Sequence, residues 1–351
     1  MNYTGLIERY RQYIDIPDGL HPISLLEGNT PLIPVPAIAN RLGEGCELWI
    51  KYEGLNPTGS FKDRGMTVAV SEAAFRQSKA VICASTGNTA ASAAAYAARA
   101  GMRAIVLIPS GKVASGKLAG ALAYGAKVIQ IDGTFDDALD IVLEISEKHP
   151  IALVNSLNPF RLEGQKTAAF EICDTLGLSP DILALPVGNA GNISAYWMGF
   201  QQYQKAFGYT LPKLLGVQAL GAAPLVLGHA VANPETIATA IRIGKPARGE
   251  QALLAAEESK GEIIAVSDNE ILSAQKLIAS NGIWVEPASA AGIAGLLKLS
   301  MNDKKSLDNK KIVAVCTGHG LKDPDIIIKD FKKPEIFPVD FKILEDVILN
   351  D

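Results

Sequence analysis

One lysine in this chain is set apart by its neighbours. In Asn56-Pro57-Thr58-Gly59-Ser60-Phe61-Lys62-Asp63-Arg64-Gly65, Lys62 lies between an aromatic ring and an acid–base pair, just after a Pro-Thr-Gly-Ser turn. Such a turn fixes the direction of the side chain that follows it, and its small residues leave room for a ligand. A lysine shielded from bulk water loses part of its preference for the charged form. The neutral amine is the form that attacks an aldehyde, so this setting suits Schiff-base chemistry. A plainer reading stands beside it: a surface lysine at a helix start, with Asp63 and Arg64 as ordinary first-turn charges.

The elements that must position this lysine read as α/β. Short apolar runs at 81–84, 104–108, 127–131, 151–154, 182–186, 214–217 and 312–315 alternate with helical stretches. Strands without polar alternation belong to parallel sheets covered on both faces. Thr134-Phe135-Asp136-Asp137 caps one helix running toward His149, and Ser267-Asp268-Asn269-Glu270 has capping-box spacing for another ending near Asn281-Gly282. Three polar loops each follow a strand directly: Ser85-Thr86-Gly87-Asn88-Thr89, Gly188-Asn189-Ala190-Gly191-Asn192 and Thr317-Gly318-His319-Gly320. Ligands of open parallel sheets bind beyond the carboxyl ends of strands, so the three loops imply one shared site. The small residues of 188–192, ahead of a helix, suit an anion such as a phosphate, though a bare strand–helix turn would look the same. Its glycines lack the G-x-G-x-x-G spacing of a dinucleotide site. Gly111-Lys112-Val113-Ala114-Ser115-Gly116-Lys117-Leu118 imitates a nucleotide phosphate loop, but Leu118 stands where magnesium needs a hydroxyl.

Composition narrows the partners. The 351 residues are 48% hydrophobic and 20% charged, enough for about two globular domains. A net charge of −4 argues against a nucleic-acid or anionic-membrane partner, because both need concentrated positive charge. Cys46, Cys83, Cys173 and Cys316 are scattered without C-x-x-C spacing, so no metal site is expected and a reducing cytoplasm fits. The start, Met1-Asn2-Tyr3-Thr4-Gly5, has no signal-peptide pattern, and the apolar run Ala90 to Ala98 is too short to span a bilayer. Lys304, Lys305, Lys310 and Lys311 read as a solvated connector, and the tail after Asp323 as packing on the larger domain.

The segment Pro57-Thr58-Gly59-Ser60-Phe61-Lys62-Asp63-Arg64 closely resembles the lysine segment of the fold-type-II pyridoxal-phosphate enzymes, the tryptophan-synthase-β superfamily. That resemblance implies two open, mostly parallel sheets flanked by helices, with the cofactor between two domains. The smaller would span 54–150 and the larger 1–53 plus 151–351. It implies that Lys62 is catalytic and holds pyridoxal 5'-phosphate as the resting Schiff base, with Phe61 beside the cofactor. Gly188, Asn189, Ala190, Gly191 and Asn192 would take the cofactor phosphate, Asn88 the phenolic oxygen, and Thr317 the ring nitrogen. Ser85, Thr86 and Thr89 would take the substrate carboxylate. A neutral hydroxyl at the ring nitrogen makes a weaker electron sink than an acid would, which eliminations tolerate better than transamination.

Within the superfamily, three segments are similar to the threonine synthases, and the resemblance runs from Gly28-Asn29-Thr30-Pro31-Leu32 to Asp323-Pro324. They are the 188–192 loop, the segment Thr317-Gly318-His319-Gly320-Leu321-Lys322-Asp323-Pro324, and the stretch from Asn155 to Lys166. The last supplies Asn155, Ser156 and Arg161 where that family binds its substrate's phosphate, and an arginine fork suits a phosphate dianion. The implied reaction turns O-phospho-L-homoserine and water into L-threonine and phosphate, in a cytoplasmic homodimer. The alternative on the same fold is a threonine or serine dehydratase, which needs no phosphate pocket around Arg161. A non-catalytic pyridoxal-phosphate-binding protein is the remote one.

Overall fold

The computed structural model describes residues 2–110, 115–303, 305–325 and 335–349, without the side chains of 115–117. Its ten described strands form two sheets. The larger has the order β1 (Leu32–Pro34), β2 (Glu47–Tyr52), β10 (Lys311–Cys316), β7 (Ile182–Pro186), β8 (Lys213–Ala219), β9 (Glu262–Val266). The smaller has the order β5 (Lys127–Ile131), β4 (Arg103–Pro109), β3 (Ala80–Ala84), β6 (Ile151–Leu153). Every pairing is parallel except β1 with β2. The central strands follow from their sequences: Ala-Val-Ile-Cys-Ala of β3 is buried throughout, as both faces of a covered parallel sheet require.

All seven apolar runs read from the sequence fall on strands, although Val154, the last residue of the 151–154 run, lies just past β6. β1, β2 and β9 are not among them. The residue-150 boundary falls just before β6, whose backbone pairs with β3, so the smaller sheet runs on to residue 153. Both anticipated caps are present. Thr134 and Asp137 close a capping box on the helix Phe135–Lys148, and Ser267 and Glu270 close one on Asp268–Ala279.

The tail departs from expectation. No residue of the helix Phe341–Leu349 is buried, and Phe341 is 77% exposed, so this segment does not pack into the larger unit. Residues 326–334 of the tail, Lys304 of the connector and Gly111–Ala114 of the imitation phosphate loop lie outside the described residues. Of the remaining connector lysines, Lys305 and Lys310 are exposed and Lys311 opens β10.

A buried charge cluster fixes the helix Lys62–Phe75 to the larger sheet. Arg64 donates to both Glu53 oxygens, at 2.6 and 2.8 Å, and to both Glu171 oxygens, at 2.8 and 2.7 Å. Lys51 on β2 donates to Glu171 and to the Thr30 carbonyl, each at 2.7 Å. Two cations thus meet two carboxylates, which offsets their desolvation. Burial alone would raise both carboxyls; Arg64, aided by Lys51, holds them below the ordinary glutamate range.

Candidate active site

The loops singled out from the sequence line one cavity of about 860 Å³. Each reaches it from the carboxyl end of a parallel strand or from a helix start, as the sheet rule requires. Lys62 is the first residue of its helix, and its Nζ stands 4.3 Å from the Phe61 ring centroid. Two adjacent residues tether that helix in opposite directions. Arg64 holds it to the larger sheet, as above. Asp63, fully buried, accepts from the Thr58 N–H at 2.7 Å, the Thr58 hydroxyl at 2.6 Å and the Ser92 hydroxyl at 2.6 Å. Ser92 lies in the helix Asn88–Arg99 that packs on the smaller sheet. Burial pushes Asp63 up to about 6, against those three hydrogen bonds. The turn before Lys62 is stitched to the third loop: Phe61 N–H donates to the Thr317 carbonyl at 2.9 Å, and His319 N–H to the Gly59 carbonyl at 2.9 Å.

Burial lowers the Lys62 amine to about 7; Arg161 pushes it the same way, and Glu286 opposes both. A lowered amine pKa means that the neutral, nucleophilic form accumulates above about pH 7, not above the ordinary lysine value of 10.5. In ligand-free protein, trapping of a small aldehyde on Lys62 by borohydride should therefore rise through pH 7. Peptide mapping of samples labelled between about pH 5 and about pH 11 checks this, since that interval takes in both the lowered and the ordinary lysine titration. A rise confined to the alkaline end would show the amine to be solvated.

Arg161 is 1% exposed and lies against the Lys62 helix. The approach requires two glycines: a Cβ on Gly164 would fall 1.8 Å from the Arg64 carbonyl oxygen, and one on Gly65 would fall 2.6 Å from Arg161 Nε. Nη1 of Arg161 donates to the Val154 carbonyl at 2.7 Å, while its buried Nε has no partner. Burial lowers its guanidinium to about 10, so it stays charged at neutral pH. Asn155 spends its amide on the backbone of Ala84, accepting from N–H at 3.0 Å and donating to the carbonyl at 2.9 Å. It thereby holds the end of β3 beside the 155–161 segment. Ser156 lines the cavity, and its carbonyl accepts from Arg248 at 3.0 Å.

The 85–89 loop is partly open to the cavity, and Ser85 Oγ accepts from the Gly87 and Ala90 N–H groups at 3.3 Å. Ser85, Thr86, Asn88 and Thr89 all line the cavity. The 188–192 loop enters the helix Gly191–Phe207 through Ala190 at φ 65°, a left-handed conformation that a Cβ-bearing residue adopts only under restraint. Asn192 Nδ2 is buried there without a partner. Helix N–H groups and an unpaired amide together offer donors to an anion.

Several residues in or behind the cavity wall escaped the sequence reading. Thr317 Oγ1 shares a 2.9 Å hydrogen bond with Ser289 Oγ, which also accepts from the Gly318 N–H at 2.8 Å. Asn88 Nδ2 donates to Glu286 at 3.0 and 3.2 Å. Glu286 and Ser289 lie at the start of the helix Pro287–Asn302, and the Val-Glu-Pro-Ala-Ser pattern, with proline at the first helical position, was the signal available. Lys322 lines the cavity too, donating to the Thr58 carbonyl at 2.8 Å.

A family model described as "Pyridoxal-phosphate dependent enzyme" matches residues 23–318. A threonine synthase of Synechocystis sp. is 58% identical over 330 residues, covering 93% of this chain and 86% of the relative. A threonine synthase of Halalkalibacterium halodurans is 52% identical over 349 residues, covering 99% of this chain and 98% of the relative. Among solved structures, the processed form of threonine deaminase isoform 2 from Solanum lycopersicum superposes with a TM-score of 0.71 at 23% identity, covering 99% of this chain and 94% of that one. This last likeness is one of fold, the fold-type-II architecture; the identities above 50% distinguish the threonine synthases from the dehydratases. The chain belongs to the pyridoxal-phosphate dependent enzyme family and, within it, to the threonine synthases.

Proposed function

We propose that this chain converts O-phospho-L-homoserine and water to L-threonine and phosphate, with pyridoxal phosphate linked to Lys62. The observation that carries the reading is that Lys62, half-buried with its amine lowered to about 7, lines one cavity with the buried Arg161, which pairs with no carboxylate among the described residues. The cavity fits the cofactor: the unpaired Asn192 amide at a helix start suits its phosphate, and Phe61 and Thr317 line the same cavity. Bound there, the cofactor supplies an electron sink for charge leaving the substrate's carbon atoms. Purified protein given phosphohomoserine should release phosphate and threonine. Given threonine alone, it should produce little 2-oxobutyrate; 2-oxobutyrate as the sole product of either incubation would support the dehydratase.

In this reading Lys62 Nζ anchors the cofactor, takes the substrate's α-proton and returns protons to neighbouring carbons. A lysine near neutrality can do both, because accepting and releasing a proton cost similar free energy. Ser85, Thr86 and Thr89 hold the substrate carboxylate, and Asn88 holds the phenolic oxygen. Gly188, Asn189, Ala190, Gly191 and Asn192 hold the cofactor phosphate. Arg161 and Ser156 hold the substrate phosphate, while Asn155, tied to Ala84 at both ends, sets their distance from the 85–89 loop. The reading also keeps two structural units, one around each sheet, and a homodimer in the cytoplasm. All four cysteines are free and buried, which suits a reducing compartment, and sedimentation equilibrium tests the dimer. Among the described residues no helix is long and apolar enough to cross a membrane.

Thr317 tunes the ring in this reading and does not act as base. Thr317→Val should keep the fold but weaken cofactor retention by about 0.5–1.5 kcal/mol, one neutral hydrogen bond. Thr317→Asp should protonate the ring nitrogen and divert flux toward transamination, detectable as a 2-oxo acid. Wild-type product ratios in the aspartate variant would rule out the contact.

A further inference from the structure

Glu286 is buried, 4% exposed, and is held from two sides by backbone. Its N–H donates to the Gly318 carbonyl at 3.1 Å, and its carbonyl accepts from the Ser289 N–H at 3.0 Å. The following Pro287 restricts its backbone to the extended conformation it adopts, φ −64° and ψ 153°. The carboxylate lies against the Gly318 α-carbon so closely that a Cβ there would stand 2.5 Å from Oε1. Its backbone is thus held by the larger unit's helix and the 317–320 loop. Across the cavity, Asn88 opens the helix that packs on the smaller sheet.

An ionised carboxylate only accepts hydrogen bonds, whereas an asparagine amide has one accepting and one donating end. Facing Glu286, Asn88 must present its nitrogen; the flipped amide would set oxygen against oxygen. The amide nitrogen carries two hydrogens, and the carboxylate takes one direction. We propose that Glu286 is a positioning residue that orients the Asn88 amide, nitrogen inward, so that its second N–H points at the phenolic oxygen of the cofactor ring. This rests on the reading that Asn88 makes that contact. Burial is the largest influence and leaves the Glu286 carboxyl above the ordinary glutamate range; the Asn88 hydrogen bond, Lys322 and Lys62 lower it, and Asp323 raises it further.

The test titrates ligand-free protein with pyridoxal phosphate and reads the dissociation constant by absorbance. Asn88→Ala should raise the constant about five- to tenfold, the loss of one neutral hydrogen bond. Glu286→Leu should raise it by a similar factor, and the double variant no further than Asn88→Ala alone, because both remove one interaction. Multiplying effects would overturn the proposal while leaving the Asn88 contact intact; no effect of Asn88→Ala would overturn both. The reversed pair, Asn88→Asp with Glu286→Gln, keeps a buried hydrogen bond but turns an oxygen toward the ring. It should recover the thermal stability lost by Asn88→Asp alone and still bind the cofactor weakly. Recovery of both would overturn the proposal and make Glu286 a strut between the two units. Should Glu286→Leu fail to fold, the reversed pair carries the test alone.

Discussion

Lys62→Ala protein should have no measurable turnover at any substrate concentration. In the proposed mechanism the substitution removes two functions together, the covalent anchor of the cofactor and the base that moves protons, so kcat is lost rather than KM raised. The fold should survive. Asp63 and Arg64, which tie the helix to Thr58, Ser92, Glu53 and Glu171, are untouched, and the Lys62 amine makes no hydrogen bond among those described. Purified protein loaded with pyridoxal phosphate should be yellow, and borohydride should fix the pyridoxyl group on the peptide containing Lys62. The rival lysine is Lys322, which lines the same cavity but donates to the Thr58 carbonyl and faces Glu286. A label on Lys322, or full colour and turnover in Lys62→Ala, would sink the assignment.

Arg161→Ala should cost roughly ten- to a hundredfold in kcat/KM for phosphohomoserine, about 1.5–3 kcal/mol of charged hydrogen bonding. The guanidinium is buried beside Gly65, keeps an unpaired Nε, and forms no ion pair among the described residues, so its charge has no protein partner to satisfy. A dianion would satisfy it. Slow dehydration of serine or threonine presents no phosphate and should be nearly unchanged. Removing Arg161 also relieves a cation that depresses Lys62, so the Lys62 amine should titrate at higher pH in the variant. Equal losses on both substrates would mean that Arg161 merely fills the gap between Gly65 and Val154.

The lining of the cavity was legible in the sequence where it was local. Lys62 and the loops after β3, β7 and β10 are each contiguous in sequence, and apolar runs announced the strands that present them. Legibility failed where partners were distant. β2 reads Glu-Leu-Trp-Ile-Lys-Tyr, and a lysine in a strand suggests a surface; only Glu171, 120 residues on, makes Lys51 fit the interior. Ser289 meets Thr317 across 28 residues, and Glu286 meets Asn88 across 198. No spacing rule links such positions. The tail misled for a different reason: its alternation of apolar and charged residues makes an amphipathic helix, Phe341–Leu349, but periodicity does not say what that helix lies against.

Strand order also carries a consequence for how the chain is made. The four strands of the smaller sheet are consecutive, residues 80–153, and can pair as soon as β6 has left the ribosome. The larger sheet cannot, because β10, which follows all the other described strands in sequence, sits between β2 and β7. Until residue 316 emerges, β2 lacks its parallel neighbour and the Lys62 turn lacks the Thr317 and His319 backbone that pins it. A nascent chain therefore carries one finished sheet and one waiting edge, and such edges are where chains associate wrongly. The turn that carries Lys62 is pinned only after the strand and loop at 311–320 have emerged, so shorter nascent chains lack the cavity wall behind that lysine.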